Sequence, residues 1–316
     1  MPNWSTVAVV EYPFELVVPV SLANGVVISA IPDWIRDKEM MEGLGLLDHN
    51  YLQACRYALV KEYEASSFGD PDANSNDNPP KSKQFTALEA VLLADLSLWV
   101  ANPCSIACHM VFVAEYLGNS WERIQFRHVA PILKAANESD KRLDKTDLDL
   151  ARQLPDAILA LPKEGTVWTA IKTLWEALKT QYWPTRYILF WVVLEALFGP
   201  EDGREITYRL SQRLGFFLSL GDRNEAQRRF QTAKNGYSWR SKLVHGRRLR
   251  KVTAEQSERL MNEAERMVRD SLTRILTTSD WIEKFDSRDR EQHLENLLFQ
   301  NEEHIRHENS GNGNDP

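Results

Sequence analysis

The chain has 316 residues, 43% of them hydrophobic and 26% charged, a balance that predicts a folded globular protein of one large or two ordinary domains. Its net charge of −7 does not by itself favour a polyanionic partner, and three cysteines are too few for a disulfide framework. No stretch of about 18 residues lacks charge and no basic, apolar leader opens the chain, so we predict a cytoplasmic protein with no membrane partner.

The first 31 residues show the alternation of β-strands. Asn24-Gly25 separates two β-branched runs and predicts a type I′ hairpin turn, because both central residues of that turn need positive φ. Pro13 and Pro19 disfavour a central position for the middle run. The predicted strands of a small, partly open sheet are Val7–Tyr12, Phe14–Val20 and Val26–Ile31.

Turn formers fill residues 67–83, which we predict to be a long, disordered loop. After it, Thr86-Ala87-Leu88-Glu89 has the form of a capping box and predicts a helix as far as Trp99. An extended segment is predicted over Ile106–Tyr116 and a further helix over Lys145–Leu161. Together these features predict an N-terminal α+β domain, residues 1–164, with a regulatory or sensor role.

From Gly165 onward the strand signals disappear and apolar residues recur at helical spacing. The chain loses this period after Phe285, so residues 286–316 are predicted to form a partly disordered tail. The fold class that follows is α+β, a small mixed β/α domain followed by an all-α bundle over residues 165–285. The predicted helices of the bundle are Val167–Leu178, Arg186–Phe198, Arg204–Leu220, Asn224–His245 and one beginning at the capping box Thr253-Ala254-Glu255-Gln256.

A basic block lies inside this acidic chain. Residues 204–250 carry twelve Lys or Arg against three acids, so the window has a charge of +9 and the remainder −16. Such a block is a candidate phosphate-binding surface. The alternative is a solvated helix face whose charges are matched by acidic neighbours in the fold.

Within this block, Arg240 is followed after four residues by His245. On an ideal helix Arg240 shares a stripe with apolar residues, so its guanidinium must be paired or must line a groove or subunit interface. His245 lies about 140° round and roughly 7.5 Å further along, so the two side chains do not meet on one helix face. They can meet if Gly246 ends the helix as its C′ residue, or if the motifs of two copies converge. Asn235-Gly236 is a possible break in this helix.

Three segments together resemble the Apea-like branch of the HEPN family over about residues 165–280. They are the run from Arg186 to Phe198, the run from Glu205 to Leu214, and Tyr237-Ser238-Trp239-Arg240-Ser241-Lys242-Leu243-Val244-His245-Gly246. The resemblance implies a helical homodimer whose Arg and His line a cleft between subunits and cut RNA, but not DNA, without metal or cofactor. Ser241 departs from the pattern, since Asn, Asp or His often follows the Arg in established nucleases of this family.

Carried onto this chain, the resemblance implies that Arg240 binds the scissile phosphate. His245 would act as general acid or base on the 2′-hydroxyl attack or the leaving 5′-oxygen, which suits imidazole because it exchanges protons near neutral pH. Tyr237, Ser241 and Glu195 are predicted supporting residues. Glu195, the acid in an otherwise apolar helix, either orients Arg240 or His245 or forms an ion pair with Arg186 or Arg240. Predicted contacts to neighbouring phosphates come from Lys242, Arg247, Arg248 and Arg250.

Two other signals are weaker. Cys104, Cys108, His109 and His128 match no common zinc spacing, so no metal is predicted. The ten tryptophans lie at core spacing, which favours packing over base stacking.

The sequence and the resemblance thus predict a metal-independent endoribonuclease that acts as a toxin or antiphage defence effector, and whose N-terminal domain is a sensor with its own regulatory partner. The alternatives are a non-catalytic HEPN dimerisation or RNA-binding module and, third, a cytosolic scaffold.

Overall fold

The computed structural model describes residues 4–64, 83–102, 106–117, 119–129, 142–246 and 252–297. The chain divides into two compact units, Met1–Leu159 and Ala160–Pro316. In the described residues the first unit contains an antiparallel sheet with helices and the second contains helices, which confirms the α+β class. None of the helices in these ranges is long and apolar enough to cross a membrane.

The sheet of the first unit has six strands in the order β2-β3-β4-β1-β5-β6, and every neighbouring pair is antiparallel. Asn24 and Gly25 both have positive φ between β2 and β3, as the Asn-Gly signal predicts. The strands are β1 (Trp4–Glu11), β2 (Val20–Ser21), β3 (Val26–Ala30), β4 (Tyr57–Tyr63), β5 (Ala107–Leu117) and β6 (Ser120–His128).

Two predictions for this unit are wrong. The middle run, Phe14–Val20, is a strand only at Val20, because Pro13 and Pro19 cannot donate to a ladder. The Thr86 capping box does not open its helix, which already begins at Lys83. Lys83, the last residue of the predicted loop, therefore belongs to the helix. The other residues of that loop, 67–82, lie outside the described residues.

Helices cover both faces of the sheet, so β1 is buried on both sides. Its alternating side chains place Ala8 and Val10 against one layer and Val7 and Val9 against the other. The first layer comprises α3 and α4, and the second includes α2 with the 3-10 turn Asp33–Ile35. The helices are α1 (Lys38–Glu42), α2 (Leu46–Ala54), α3 (Lys83–Ala101) and α4 (Lys145–Ala160).

A carboxylic acid is buried in the core of this unit. Asp95 of α3 is 2% exposed, and its Oδ1 has no hydrogen-bond partner among the described residues. Burial raises the pKa of Asp95 to about 7. Burial, followed by the charge of Asp95, also raises the pKa of the Cys108 thiol. Asp95 is therefore held in its neutral form at a pH where an exposed aspartate is charged.

We predict that Asp95 makes the protein less stable as the pH rises from about 4 to about 7, because the folded state binds the proton more tightly than the unfolded state. Asp95→Asn should flatten this slope and raise the free energy of unfolding at about pH 8, by at most about 4 kcal/mol. Urea unfolding at a series of pH values measures the slope. Asp149→Asn, an exposed change in the same unit, is the control, and an unchanged slope in Asp95→Asn would contradict the prediction.

The second unit is a bundle around an apolar central helix. Phe190, Trp191 and Leu194 of this helix, α6, are fully buried, as predicted for a helix that is apolar nearly all round, and α6 packs against α5, α7, α8 and α9. Thr253 Oγ1 accepts a hydrogen bond from the Gln256 amide, which confirms that capping site. The helices are α5 (Thr166–Lys179), α6 (Trp183–Phe198), α7 (Ile206–Ser219), α8 (Arg223–Val244), α9 (Ala254–Thr277) and α10 (Ser279–Asp286).

Residues 290–297 of the predicted tail are helical, so the helical unit continues beyond its predicted end at residue 285. Glu291 accepts two hydrogen bonds from the buried Arg213, at 2.9 and 2.6 Å. Arg290 donates to the carbonyl oxygens of Ala196 and Gly199 at the end of α6. Leu294 is the one buried apolar residue of this segment, so hydrogen bonds and ion pairs from its charged residues hold the segment in place. A helix with a single buried apolar residue shows no hydrophobic periodicity, and the sequence therefore did not reveal it. Residues 298–316 lie outside the described residues.

We predict that Glu291→Gln lowers the free energy of unfolding by about 3 kcal/mol, because it removes the closer of the two carboxylates beside the buried guanidinium of Arg213. Although burial opposes it, hydrogen bonding from Arg213 lowers the pKa of Glu291, so this stabilisation should disappear as the pH falls below about 4. Urea unfolding is the measurement. Glu295→Gln is the matched control, since its more exposed carboxylate lies 3.9 Å from Arg213, and an equal loss in both variants would refute the buried pair.

Candidate functional site

The motif lies at the end of one uninterrupted helix, α8. The Asp222 carboxylate caps its first turn by accepting from the amides of Asn224 and Glu225. Gly236 does not break the helix, and a Cβ there would overlap the indole of Trp191 on α6. The Tyr187 hydroxyl also donates to the Gly236 carbonyl at 2.7 Å. Glycine thus permits a close approach of α6 and α8, and the helical phase continues as far as Arg240.

Arg240 is paired with Glu195 of α6. Its Nη2 lies 3.0 Å from Glu195 Oε1 and donates to Oε2 at 3.2 Å. Tyr237, one helical turn earlier, donates its hydroxyl to Glu195 Oε1 at 2.6 Å, and its ring lies 5.5 Å from the guanidinium carbon. Of the partners considered for Glu195, the structure selects Arg240. Arg186 instead interacts electrostatically with Glu265 of α9.

The pair is half-buried, with 22% of the Arg240 side chain and 25% of the Glu195 side chain exposed. Burial, and then the hydrogen bond to Glu195, raise the pKa of Tyr237, so its phenol stays a proton donor at neutral pH. Within the part of the chain that the structure describes, Glu195 uses only Nη2 of Arg240, and the buried Nε has no partner. The buried Nε is closed to an incoming anion, so the donors that remain for one are on Nη1 and Nη2.

His245 ends α8. Its amide donates to the carbonyl of Ser241 at 3.2 Å, and Gly246 follows with φ +64°, the left-handed conformation predicted for a C′ glycine. The side chain of His245 is exposed. No hydrogen bond or ion pair joins its imidazole to Arg240 or Glu195 in the described ranges. The structure therefore brings Glu195, Tyr237 and Arg240 together and leaves His245 apart from them.

Of the remaining predicted site residues, the structure describes Ser241 and Lys242. Ser241 is half-buried, and Lys242 Nζ lies 4.5 Å from the centroid of the Trp239 ring. Arg247, Arg248 and Arg250 lie outside the described residues.

Most of the described cations of the basic block are neutralised by carboxylates of the protein itself. Nine of its twelve cations are described, and five of these nine form ion pairs with carboxylates. The alternative of matched charges therefore holds for these five, which are Arg209, Arg213, Arg228, Arg229 and Arg240. Lys234 and Lys242 have no carboxylate partner among the residues that the structure describes. Fewer of the described cations on α8 are therefore available to bind a phosphate than the sequence suggests.

The zinc signal finds no geometric support. Cys108 is a buried free thiol, and His128 Nε2 lies 2.8 Å from Asp48 Oδ1. Over the described ranges, no group of three or more His, Cys, Asp or Glu side chains is placed to hold a metal. Cys104 lies outside them.

Comparisons of the chain with models of protein families, with curated proteins and with solved structures found no match. Function is therefore inferred from the chemistry of Arg240, His245 and their neighbours. Sequence reasoning missed the pairing of Trp239 with Lys242. The signal was their spacing of three residues on a helix, which makes two side chains neighbours.

We predict that Glu195→Gln costs about 1–2 kcal/mol in the free energy of unfolding, between the values typical of exposed and buried ion pairs, because the pair is half-buried. Tyr237→Phe should cost less, and the double variant less than the sum, because both changes remove bonds to the same carboxylate. Urea unfolding of the three variants closes the cycle. Glu176→Gln, which breaks the exposed pair with Lys179, is the control, and additive losses would mean that Tyr237 does not support Glu195.

Proposed function

We propose that this protein is a metal-independent endoribonuclease of the HEPN type. The observation that carries the proposal is the arrangement at the end of α8, where Glu195 orients the Arg240 guanidinium and the His245 imidazole is exposed. Resemblance of three segments to the Apea-like branch supports it from the sequence.

The reaction needs only groups that RNA and this chain supply. The 2′-oxygen attacks the adjacent phosphorus, the bond from phosphorus to the 5′-oxygen breaks, and the products are a 2′,3′-cyclic phosphate and a 5′-hydroxyl. A neutral imidazole accepts the 2′-hydroxyl proton, or an imidazolium protonates the leaving 5′-oxygen. The unused donors of Arg240 neutralise the charge that grows on the non-bridging oxygens.

The geometry of α8 favours a pair of chains. Arg240 lies on the side that faces α6, whereas five helical residues turn His245 about 140° away. A second copy whose α8 ends at the same groove supplies a His245 close to the first copy's Arg240, and two imidazoles serve the two proton transfers. The proposed form is therefore a homodimer assembled through the helical unit.

The biological setting that fits this chemistry is a cytoplasmic toxin or antiphage defence effector. Uncontrolled cleavage of RNA is harmful to the cell that makes it, so a regulated activity is expected. The first unit, with its separate sheet and core, is then the sensor or target selector that receives the regulatory partner.

A second candidate is a HEPN module that binds RNA or dimerises without cutting. The ion pair between Arg240 and Glu195 favours it, because a guanidinium neutralised by its own chain also serves structure. The neutralised cations of the basic block favour the dimerisation form of this candidate over its RNA-binding form.

We predict that purified protein cuts single-stranded RNA in EDTA, leaves DNA intact, and produces 2′,3′-cyclic phosphate ends. Arg240→Ala and His245→Ala should each lower the cleavage rate about 100-fold or more, because they remove phosphate binding and proton transfer. Gel assays of end-labelled RNA measure both. Arg228→Ala, at an exposed cation paired with Glu225, is the control and should cut at nearly the unaltered rate. Binding without cleavage would favour the second candidate.

A further inference from the structure

The outer side of α8 carries a short ridge that ends at the motif. Trp239, Lys242 and His245 follow one another at intervals of three residues, and such residues are neighbours on a helix, with Cβ atoms about 5–6 Å apart. Lys242 Nζ lies 4.5 Å from the centroid of the Trp239 ring. An indole, an ammonium and an imidazole therefore stand in a row, which we call the α8 ridge.

The members of the α8 ridge are accessible to a ligand. Trp239 is half-buried and His245 is exposed, whereas Trp191 on the neighbouring helix α6 is fully buried. On an ideal helix Trp239 lies about 100° from Arg240, whose guanidinium pairs with Glu195 of α6. Because Trp239 is only half-buried, part of its indole is open to a ligand.

The charge of Lys242 is also available. Arg228, Arg229 and Arg240 on the same helix have carboxylate partners, but Lys242 has none in the residues described by the structure. Within the described ranges its ammonium is placed over the indole of Trp239. The Lys242 ammonium can therefore leave the ring of Trp239 and bind a phosphate without first breaking an ion pair.

We propose that the α8 ridge is a subsite for an unpaired stretch of RNA beside the cleaved linkage, in which a base stacks on Trp239 and its phosphate binds Lys242. The inference rests on the proposed function, since His245 marks the position of the cleaved linkage. Trp239 and His245 lie on the order of 10 Å apart along the ridge, so the stacked base belongs to a flanking nucleotide. Bases within a duplex do not expose their faces, so the substrate class is single-stranded RNA.

The test measures binding separately from cleavage. Fluorescence anisotropy follows a labelled single strand in which a 2′-O-methyl group replaces every 2′-hydroxyl, so that it cannot be cut. The same strand without bases and the matching duplex are the companion probes. The native protein should bind the base-containing strand more tightly than both of them.

Trp239→Ala should weaken the binding of the base-containing strand about 5-fold to 100-fold, because the stacking of a base is lost. The binding of the strand without bases should not change. Trp239→Phe retains an aromatic face and should keep most of the affinity, which separates loss of stacking from misfolding. Lys242→Gln should weaken the binding of both strands equally. It should also reduce the salt dependence of the binding constant by the amount expected for about one phosphate contact.

Trp175→Ala is the matched control. Trp175 of α5 is also half-buried beside a lysine, with Lys179 Nζ 5.4 Å from its ring centroid, but Lys179 is neutralised by Glu176 at 3.0 Å. Its replacement should leave binding of every strand unchanged. An equal loss in Trp175→Ala and Trp239→Ala would overturn the subsite.

The subsite is also wrong if the native protein binds no single strand, binds the duplex or the strand without bases as tightly, or is unaffected by Trp239→Ala. If binding depends on Trp239 but no RNA is cut, the α8 ridge is a site that binds single-stranded RNA with no cleaved linkage beside it, and the nuclease proposal fails. If RNA is cut through Arg240 and His245 while Trp239→Ala binds normally, the subsite alone fails.

Discussion

A guanidinium on the α6-facing side of α8 must be compensated, because an uncompensated charge in a partly buried position costs several kcal/mol. Glu195 provides that compensation, and Tyr237 holds Glu195 in turn. The position of Arg240 is thus fixed by two side chains, Glu195 from α6 and Tyr237 from α8 itself. Any chemistry at this end of the bundle depends on a cation whose place is set before a ligand arrives.

The same ion pair sets a limit on that chemistry. A phosphate that approaches Arg240 meets a cation already paired with a carboxylate, so it must use the remaining donors or compete with Glu195. Arginine suits the first route because its planar fork can serve two anions on different edges. Close packing of α6 on α8 at Gly236 keeps Glu195 within reach and makes the arrangement a property of the bundle.

Long amphipathic helices were the most predictable part of the fold. The expected range Asn224–His245 differs from α8 by one residue at each end, since Asp222 and Gly246 are strong end signals. Strand β4 was missed because the mixed pattern of Tyr57–Tyr63 does not alternate cleanly. Strand β6 was missed because it is mostly exposed and polar at the edge of the sheet.

For the candidate site, the sequence placed Arg240 on a packed face and His245 at a helix end, because both follow from helical phase and a glycine. It could not choose between Arg186 and Arg240 as the partner of Glu195, since that choice depends on how α6, α8 and α9 pack. Nor could it show the pairs of Arg213 with Glu291 and of Arg229 with Asp270, because these partners lie 78 and 41 residues away. The pairs that Glu225 forms with Arg228 and Arg229 lie within one helical turn, a spacing that the sequence does show.

Residues 290–297 contact the end of α6 through Arg290, and this contact affects where the helical unit can be shortened. Hydrophobic period alone puts the boundary near Phe285, yet a protein shortened there would lose the arginine that satisfies two carbonyl groups and the acid that balances Arg213. A shortened bundle that keeps the ionic contacts of Arg213 therefore extends at least through Glu295. An affinity tag or a fused partner belongs beyond that point.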